Sequence, residues 1–131
     1  MGKIRILLAD DHQTVLQRVS ELLGQDFDIV GKVTNGRDAV AAALRLKPDV
    51  LVIDISMPLL NGLQATQRLR GAKQLTKVVF LTVHSTEDFV SAALSAGASG
   101  YVTKPDIATD LIPAIHEALA GGIYVSKSVT P

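Results

Sequence analysis

The sequence predicts an α/β fold in which five parallel strands form one sheet with helices on both faces. Apolar, largely β-branched runs alternate with helix-length amphipathic segments along the 131 residues, and such alternation is typical of parallel strands joined by helical crossovers. Residues 50–53 are apolar at every position, as expected for a strand buried on both faces. The run ends at Asp54, and Pro58 shortly afterwards prevents further strand pairing.

The predicted strands and helices follow one another in strict order. The strands are residues 4–9, 29–33, 50–54, 77–82 and 100–102. The first helix carries Val15, Val19, Leu22 and Leu23 on one face and closes near Gly24. The second is residues 37–46, the third is led by Asn61-Gly62 and ends near Gly71, and the fourth, capped by Ser85 or Thr86, runs to Gly97. The last helix contains Pro113, so we expect it to start near Thr109, which leaves the proline in the first turn.

The apolar content of each strand predicts its place in the sheet. The first, third and fourth strands are unbroken apolar runs and belong in the centre, whereas the mixed second and short fifth strands belong at the edges. This gives the order 2-1-3-4-5, a flavodoxin-like doubly wound sheet. Residues 1–122 are predicted to form one domain. We expect residues 123–131 to be a C-terminal tail, or the start of a linker to an output domain that this sequence lacks.

Charge and composition exclude several function classes. Thirteen basic and thirteen acidic residues give a formal net charge of zero, which argues against a nucleic-acid or anionic-membrane surface on this domain. There is no cysteine, so disulfides and thiolate metal sites are excluded. No apolar run approaches the ~20 residues of a membrane span. The sequence therefore predicts a soluble, cytoplasmic protein.

Polar residues follow the predicted strands at the ends that share one edge of the sheet. Asp10 and Asp11 follow the first strand, Asp54 the third, Thr82 ends the fourth, and Lys104 follows the fifth. Three carboxylates at roughly 5 Å repel one another by about 3 kcal/mol per pair at an effective dielectric of 20. Such a cluster needs a cation, and oxygen ligands favour Mg²⁺. An acid, a divalent ion, a lysine and a hydroxyl are the groups that phosphoryl transfer to aspartate requires.

In sequence order, these residues resemble the receiver domain of two-component response regulators. The matching pieces are Asp10-Asp11, Asp54 with Met57-Pro58 and Asn61-Gly62, Thr82, Tyr101 and Lys104-Pro105. The segments Asp11-His12, Thr82-Val83-His84 and residues 121–126 are most similar to the subfamily with a LuxR-type helix-turn-helix output domain.

The resemblance implies a role for each matching residue. Asp54 would accept the phosphoryl group, while Asp10, Asp11, Asp54 and the backbone carbonyl of Ser56 would hold Mg²⁺. Lys104 and Thr82 would contact the phosphoryl group. Tyr101 would be the switch aromatic that turns inward when Thr82 moves; the alternative is a strand aromatic with its hydroxyl in water.

The resemblance also implies the partners. A sensor histidine kinase would supply the phosphoryl group, and phosphorylation would change the face formed by the fourth helix, fifth strand and fifth helix. That change would control dimerisation and a transcription-regulating domain, so DNA would be bound only through the missing C-terminal part. The domain would not be an enzyme beyond catalysing its own phosphorylation and dephosphorylation.

Other functions fit the sequence less well. An FMN carrier needs a phosphate-binding loop after the first strand, where Asp10-Asp11 would repel a phosphate. A haloacid-dehalogenase-type phosphatase needs a second aspartate where Ser56 stands, and a Rossmann enzyme needs a Gly-x-Gly-x-x-Gly motif that is missing. The open alternative is a receiver-like interaction module that is not regulated by phosphorylation.

Overall fold

The structure, a computed structural model, describes residues 2–129. Within this range the chain forms six strands, five α-helices and a one-turn 3₁₀ helix, Lys104–Asp106. The strands are β1 (Arg5–Ala9), β2 (Asp28–Val33), β3 (Val50–Ile53), β4 (Lys77–Thr82), β5 (Gly100–Thr103) and β6 (Tyr124–Val125). The helices are α1 (Gln13–Leu23), α2 (Gly36–Leu46), α3 (Gly62–Gly71), α4 (Glu87–Ser95) and α5 (Ile107–Leu119).

All strands are parallel, and the sheet has the order β2-β1-β3-β4-β5-β6. Alternation of side chains along each strand divides the core into two layers. In β1, Leu7 and Ala9 join the layer covered by α2, α3 and α4, whereas Ile6 and Leu8 join the layer covered by α1 and α5. The central strands therefore need apolar residues at every position, which is the pattern that predicted them.

Two asparagines cap the N-termini of α2 and α3. Asn35 caps α2 by accepting a hydrogen bond from the Asp38 amide, and Asn61 forms a reciprocal capping box with Gln64 at the start of α3. Gly62 follows that cap, and a Cβ there would lie 2.1 Å from the Asp54 carbonyl oxygen. Only glycine allows α3 to start this close to the end of β3.

The expected count of five strands is wrong, because the chain adds a sixth strand after α5. Gly121 adopts a left-handed conformation with φ of 89°, after which Tyr124 and Val125 pair in parallel with Gly100 and Tyr101 of β5. β5 is consequently an inner strand and not an edge strand. The expected tail therefore includes β6, while Thr130 and Pro131 lie outside the described residues.

The start expected for the last helix is also wrong. α5 begins at Ile107, directly after the 3₁₀ turn, with Asp106 at the N-cap position, so Pro113 lies inside the helix. Pro113 is exposed and supplies no N–H to the carbonyl of Thr109. The helix tolerates this loss because water reaches that side, while Ile107 and Leu111 are buried on the other.

Candidate functional site

The acids that follow β1 and β3 meet at the C-terminal edge of the sheet, as their positions in the sequence predicted. The Asp54 amide donates to the carbonyl of Ala9 at 3.1 Å, which holds the end of β3 against the end of β1. Asp10 and Asp54 are 4% and 3% exposed. One ligand atom from each of Asp10, Asp11, His12 and Asp54 lies within 4.8 Å of the others. The fold thus concentrates three carboxylates and one imidazole.

Lys104 supplies the nearest positive charge. Its Nζ lies 2.9 Å from Asp54 Oδ2 and 2.9 Å from Asp10 Oδ2, and its side chain is 11% exposed. Burial alone would lower the pKa of Lys104, but the hydrogen bonds and charges of Asp54 and Asp10 outweigh it, so the net pKa is raised. The lysine is therefore held charged between the two buried acids.

One lysine neutralises only part of the acid cluster. Asp10 Oδ2 is buried, and among the described residues the Lys104 ammonium at 2.9 Å is its one polar partner. Three carboxylates and one lysine together keep a net negative charge, and carboxylate oxygens are the ligands that a hard divalent cation such as Mg²⁺ prefers. The His12 ring lies 3.1 Å from Asp10 Oδ1 and 3.2 Å from Asp11 Oδ1, so it sits beside the acids.

Thr82 and Tyr101 both contact His84. Thr82 ends β4, is fully buried, and accepts a hydrogen bond from the His84 amide at 3.4 Å. Tyr101 is also fully buried, and its hydroxyl donates to the His84 carbonyl at 2.9 Å. Burial, then the nearby charge of Asp54, raises the pKa of Tyr101 to about 12. A strand tyrosine with its hydroxyl in water is therefore wrong, and the ring already lies inside.

His84 joins the loops that follow β3 and β4 beside Asp54, and the sequence predicted no role for it. His84 Nε2 lies 2.8 Å from the Ser56 hydroxyl, and its ring stacks on Phe89 of α4 at 4.0 Å between centroids. The expected role of Ser56 was its backbone carbonyl, but its side chain also bridges to the loop after β4. The only signal in the sequence is that Ser56 and His84 each follow a candidate site residue by two positions.

A doubly wound sheet with two buried acids bridged by a lysine at its C-terminal edge defines a receiver-type signalling domain. The family model described as the response regulator receiver domain matches residues 6–116, and the chain belongs to this family.

Known proteins similar to this chain include response regulators. It is 36% identical over 128 residues to the nitrate/nitrite response regulator protein NarL of Escherichia coli (strain K12), covering 96% of this chain and 59% of NarL. It is 37% identical over 131 residues to the transcriptional regulatory protein DegU of Brevibacillus brevis, covering 98% and 56%. The chain thus spans less than two thirds of the length of these relatives.

A solved structure supports the same assignment. The fold superposes with a TM-score of 0.92 and 30% identity on a LuxR-family two-component response regulator from Aurantimonas sp. SI85-9A1, covering 98% of this chain and 93% of that one. Among the described residues, no helix combines the length and apolar character needed to cross a membrane.

Proposed function

We propose that this receiver domain is a phosphorylation-dependent switch of a two-component system, with Asp54 as phosphoryl acceptor and a histidine kinase as donor. The observation that carries the proposal is Lys104, which contacts both Asp54 and Asp10 at 2.9 Å although both acids are buried. Such a lysine suits a carboxylate that gains negative charge, because it is already charged and in place before the reaction.

The chemistry follows from the groups present. A carboxylate oxygen of Asp54 attacks the phosphorus, and the bond from phosphorus to the kinase imidazole nitrogen breaks with its electron pair leaving on that nitrogen. The Lys104 ammonium and the Thr82 hydroxyl then donate to phosphoryl oxygens. Asp10, Asp11, Asp54 and the Ser56 carbonyl would hold Mg²⁺, which supplies positive charge to the phosphoryl oxygens when bound.

The output is proposed from the relatives. Since NarL and DegU are named as regulators and the Aurantimonas protein is of the LuxR family, we infer a cytoplasmic protein whose receiver controls a separate DNA-binding output domain. Phosphorylation would act on the face formed by α4, β5 and α5 and favour a homodimer.

Intact mass spectrometry after incubation with acetyl phosphate and Mg²⁺ tests the proposal. We expect a gain of one phosphoryl group in the wild type and in Asp26→Asn, a control that removes an exposed carboxylate. The gain should disappear in Asp54→Asn and in excess EDTA. A gain that survives either treatment refutes Asp54 or Mg²⁺ respectively, and no gain in the wild type favours the unphosphorylated interaction module.

A further inference from the structure

Residues 124–129, here termed the C-terminal clasp, lie along the outer edge of β5. The Tyr124 amide donates to the Ser99 carbonyl at 3.1 Å, and the Ser126 amide donates to the Tyr101 carbonyl at 2.9 Å. Val125 stands opposite Tyr101 in the sheet register. The clasp thus pairs with the edge of β5, the strand that contains the candidate switch residue Tyr101.

Hydroxyl groups fix the clasp to the start of α5. Ser126, which is 2% exposed, donates to Asp110 Oδ2 at 2.8 Å and accepts from the Thr103 amide at 3.3 Å. Ser128 donates to Asp106 Oδ2 at 2.5 Å, and the Thr103 hydroxyl donates to the same oxygen at 2.7 Å. These two hydrogen bonds lower the pKa of Asp106, and the bond from Ser128 has the larger effect.

The same contacts reach the active-site lysine. Thr103 immediately precedes Lys104, and Asp106 ends the one-turn 3₁₀ helix that begins at Lys104. The turn is therefore held from one side by the acids that Lys104 contacts and from the other by Ser128 of the clasp. Val125 and Val129 also pack against the core layer that contains Tyr101.

We propose that the C-terminal clasp is a positioning element for Lys104: its docking through Asp106 and Asp110 holds the turn Lys104–Asp106 so that Nζ reaches Asp54, and phosphorylation stabilises the docked clasp in return. Asp106 is accordingly a positioning residue. The clasp holds the turn that carries Lys104, and Lys104 would contact the phosphoryl group, so docking of the clasp and phosphorylation should favour each other. The inference rests on the proposed phosphorylation of Asp54 and adds how it is regulated.

Linkage makes the coupling measurable from both ends. If phosphorylation strengthens clasp docking by some factor, loss of docking must weaken binding of a phosphoryl mimic by the same factor. We expect about fivefold or more, the lower end of usual couplings between sites. The probe is beryllofluoride with Mg²⁺, which reports on the site without a chemical step.

The experiment compares the full chain with Ser126→Ala/Ser128→Ala. Hydrogen exchange should show the Tyr124 and Ser126 amides more protected with beryllofluoride than without it in the wild type. The double variant should exchange these amides faster and bind beryllofluoride at least about fivefold more weakly. The control is Ser91→Ala, which removes an exposed hydroxyl on α4 and should match the wild type. Ser128→Thr, which keeps a hydroxyl, should also bind as the wild type does.

Several outcomes overturn the inference. The first is equal hydrogen-exchange protection of the clasp amides in the wild type with and without beryllofluoride. The second is faster exchange of these amides in the double variant while its beryllofluoride affinity stays within twofold of the wild type. If the clasp of the double variant stays docked, the hydroxyls do not hold it and the proposed route through Asp106 and Asp110 fails. Ser126→Pro, which deletes the amide bonded to the Tyr101 carbonyl, then tests strand pairing by itself. If β6 is released in that variant and the beryllofluoride affinity is unchanged, the clasp does not position Lys104. Failure of the proposed function is distinguishable, because Asp54 would then gain no phosphoryl mass.

Discussion

Replacing Lys104 with alanine should destabilise the domain, because two buried carboxylates lose the charge they share. Asp10 and Asp54 each lie 2.9 Å from Nζ, with side chains 5% and 3% exposed. Removing one partner from a buried ion pair typically costs about 3–5 kcal/mol. We therefore expect a loss of about 3–5 kcal/mol at pH 7 in EDTA.

The loss should depend on the divalent ion, and the contribution of Lys104 should depend on pH. Mg²⁺ at pH 7 should reduce the difference between the variant and the wild type if the acids bind it. In the wild type, the raised pKa of Lys104 means that its contribution is complete below pH 10.5 and is lost as the pH rises through the folded-state pKa.

Urea unfolding followed by circular dichroism measures these differences. The control is Lys32→Ala, which removes an exposed lysine of β2 and should change stability by less than about 0.5 kcal/mol. In an Asp54→Asn background the loss caused by Lys104→Ala should be smaller, since one buried charge is already gone. An equal loss in that background would show that Lys104 stabilises the fold by packing and not by its charge.

Three further substitutions test the packing around the site. Tyr101→Phe should cost about 1 kcal/mol through the lost hydrogen bond to His84, measured by urea unfolding. The chain has two tyrosines, so the absorbance that Tyr101→Phe removes from the alkaline titration identifies the Tyr101 phenol, which should ionise as the pH rises toward 12. Stability from the neutral phenol is full below pH 10 and is lost as the pH rises from 10 toward 12. Ionisation of Tyr101 near pH 10 would contradict the burial argument. Gly62→Ala should destabilise by about 1–3 kcal/mol or more because its Cβ meets the Asp54 carbonyl, whereas Gly71→Ala, with open space around it, should stay within about 1 kcal/mol of the wild type. Equal effects of the two alanines would show that the chain after β3 relaxes freely.

The sequence predicted the central strands and the acid cluster for one physical reason. A parallel strand covered on both faces needs an apolar residue at each position, so Val50–Ile53 is recognisable without any partner. The parallel arrangement then brings Asp10, Asp54 and the loop containing Lys104 to one edge. These predictions depend only on the direction and order of the strands, which the apolar pattern of each short segment is enough to predict.

The sequence could not predict β6 or the side-chain bridge between loops. Two residues, Tyr124 and Val125, are too few to show a strand period, and their pairing depends on the edge that β5 offers. The Ser56–His84 contact joins residues 28 positions apart, so it becomes visible only once two loops are placed side by side. The early start of α5 likewise depends on burial of Ile107, which outweighs the missing N–H of Pro113.

The sixth strand changes how a signal could leave this domain. Phosphorylation was expected to draw Tyr101 inward, yet the ring is already fully buried and bonded to the His84 carbonyl. A resting state with Tyr101 outward would have to break that bond beside an edge of β5 that Val125 already covers. Movement of the ring is therefore tied to the clasp on one side and, through His84 stacked on Phe89, to α4 on the other. Residues 124–129 pair with β5 and pack against the layer that contains Tyr101, so under the proposed function a change at Asp54 that moves Tyr101 or Lys104 would also act on the clasp.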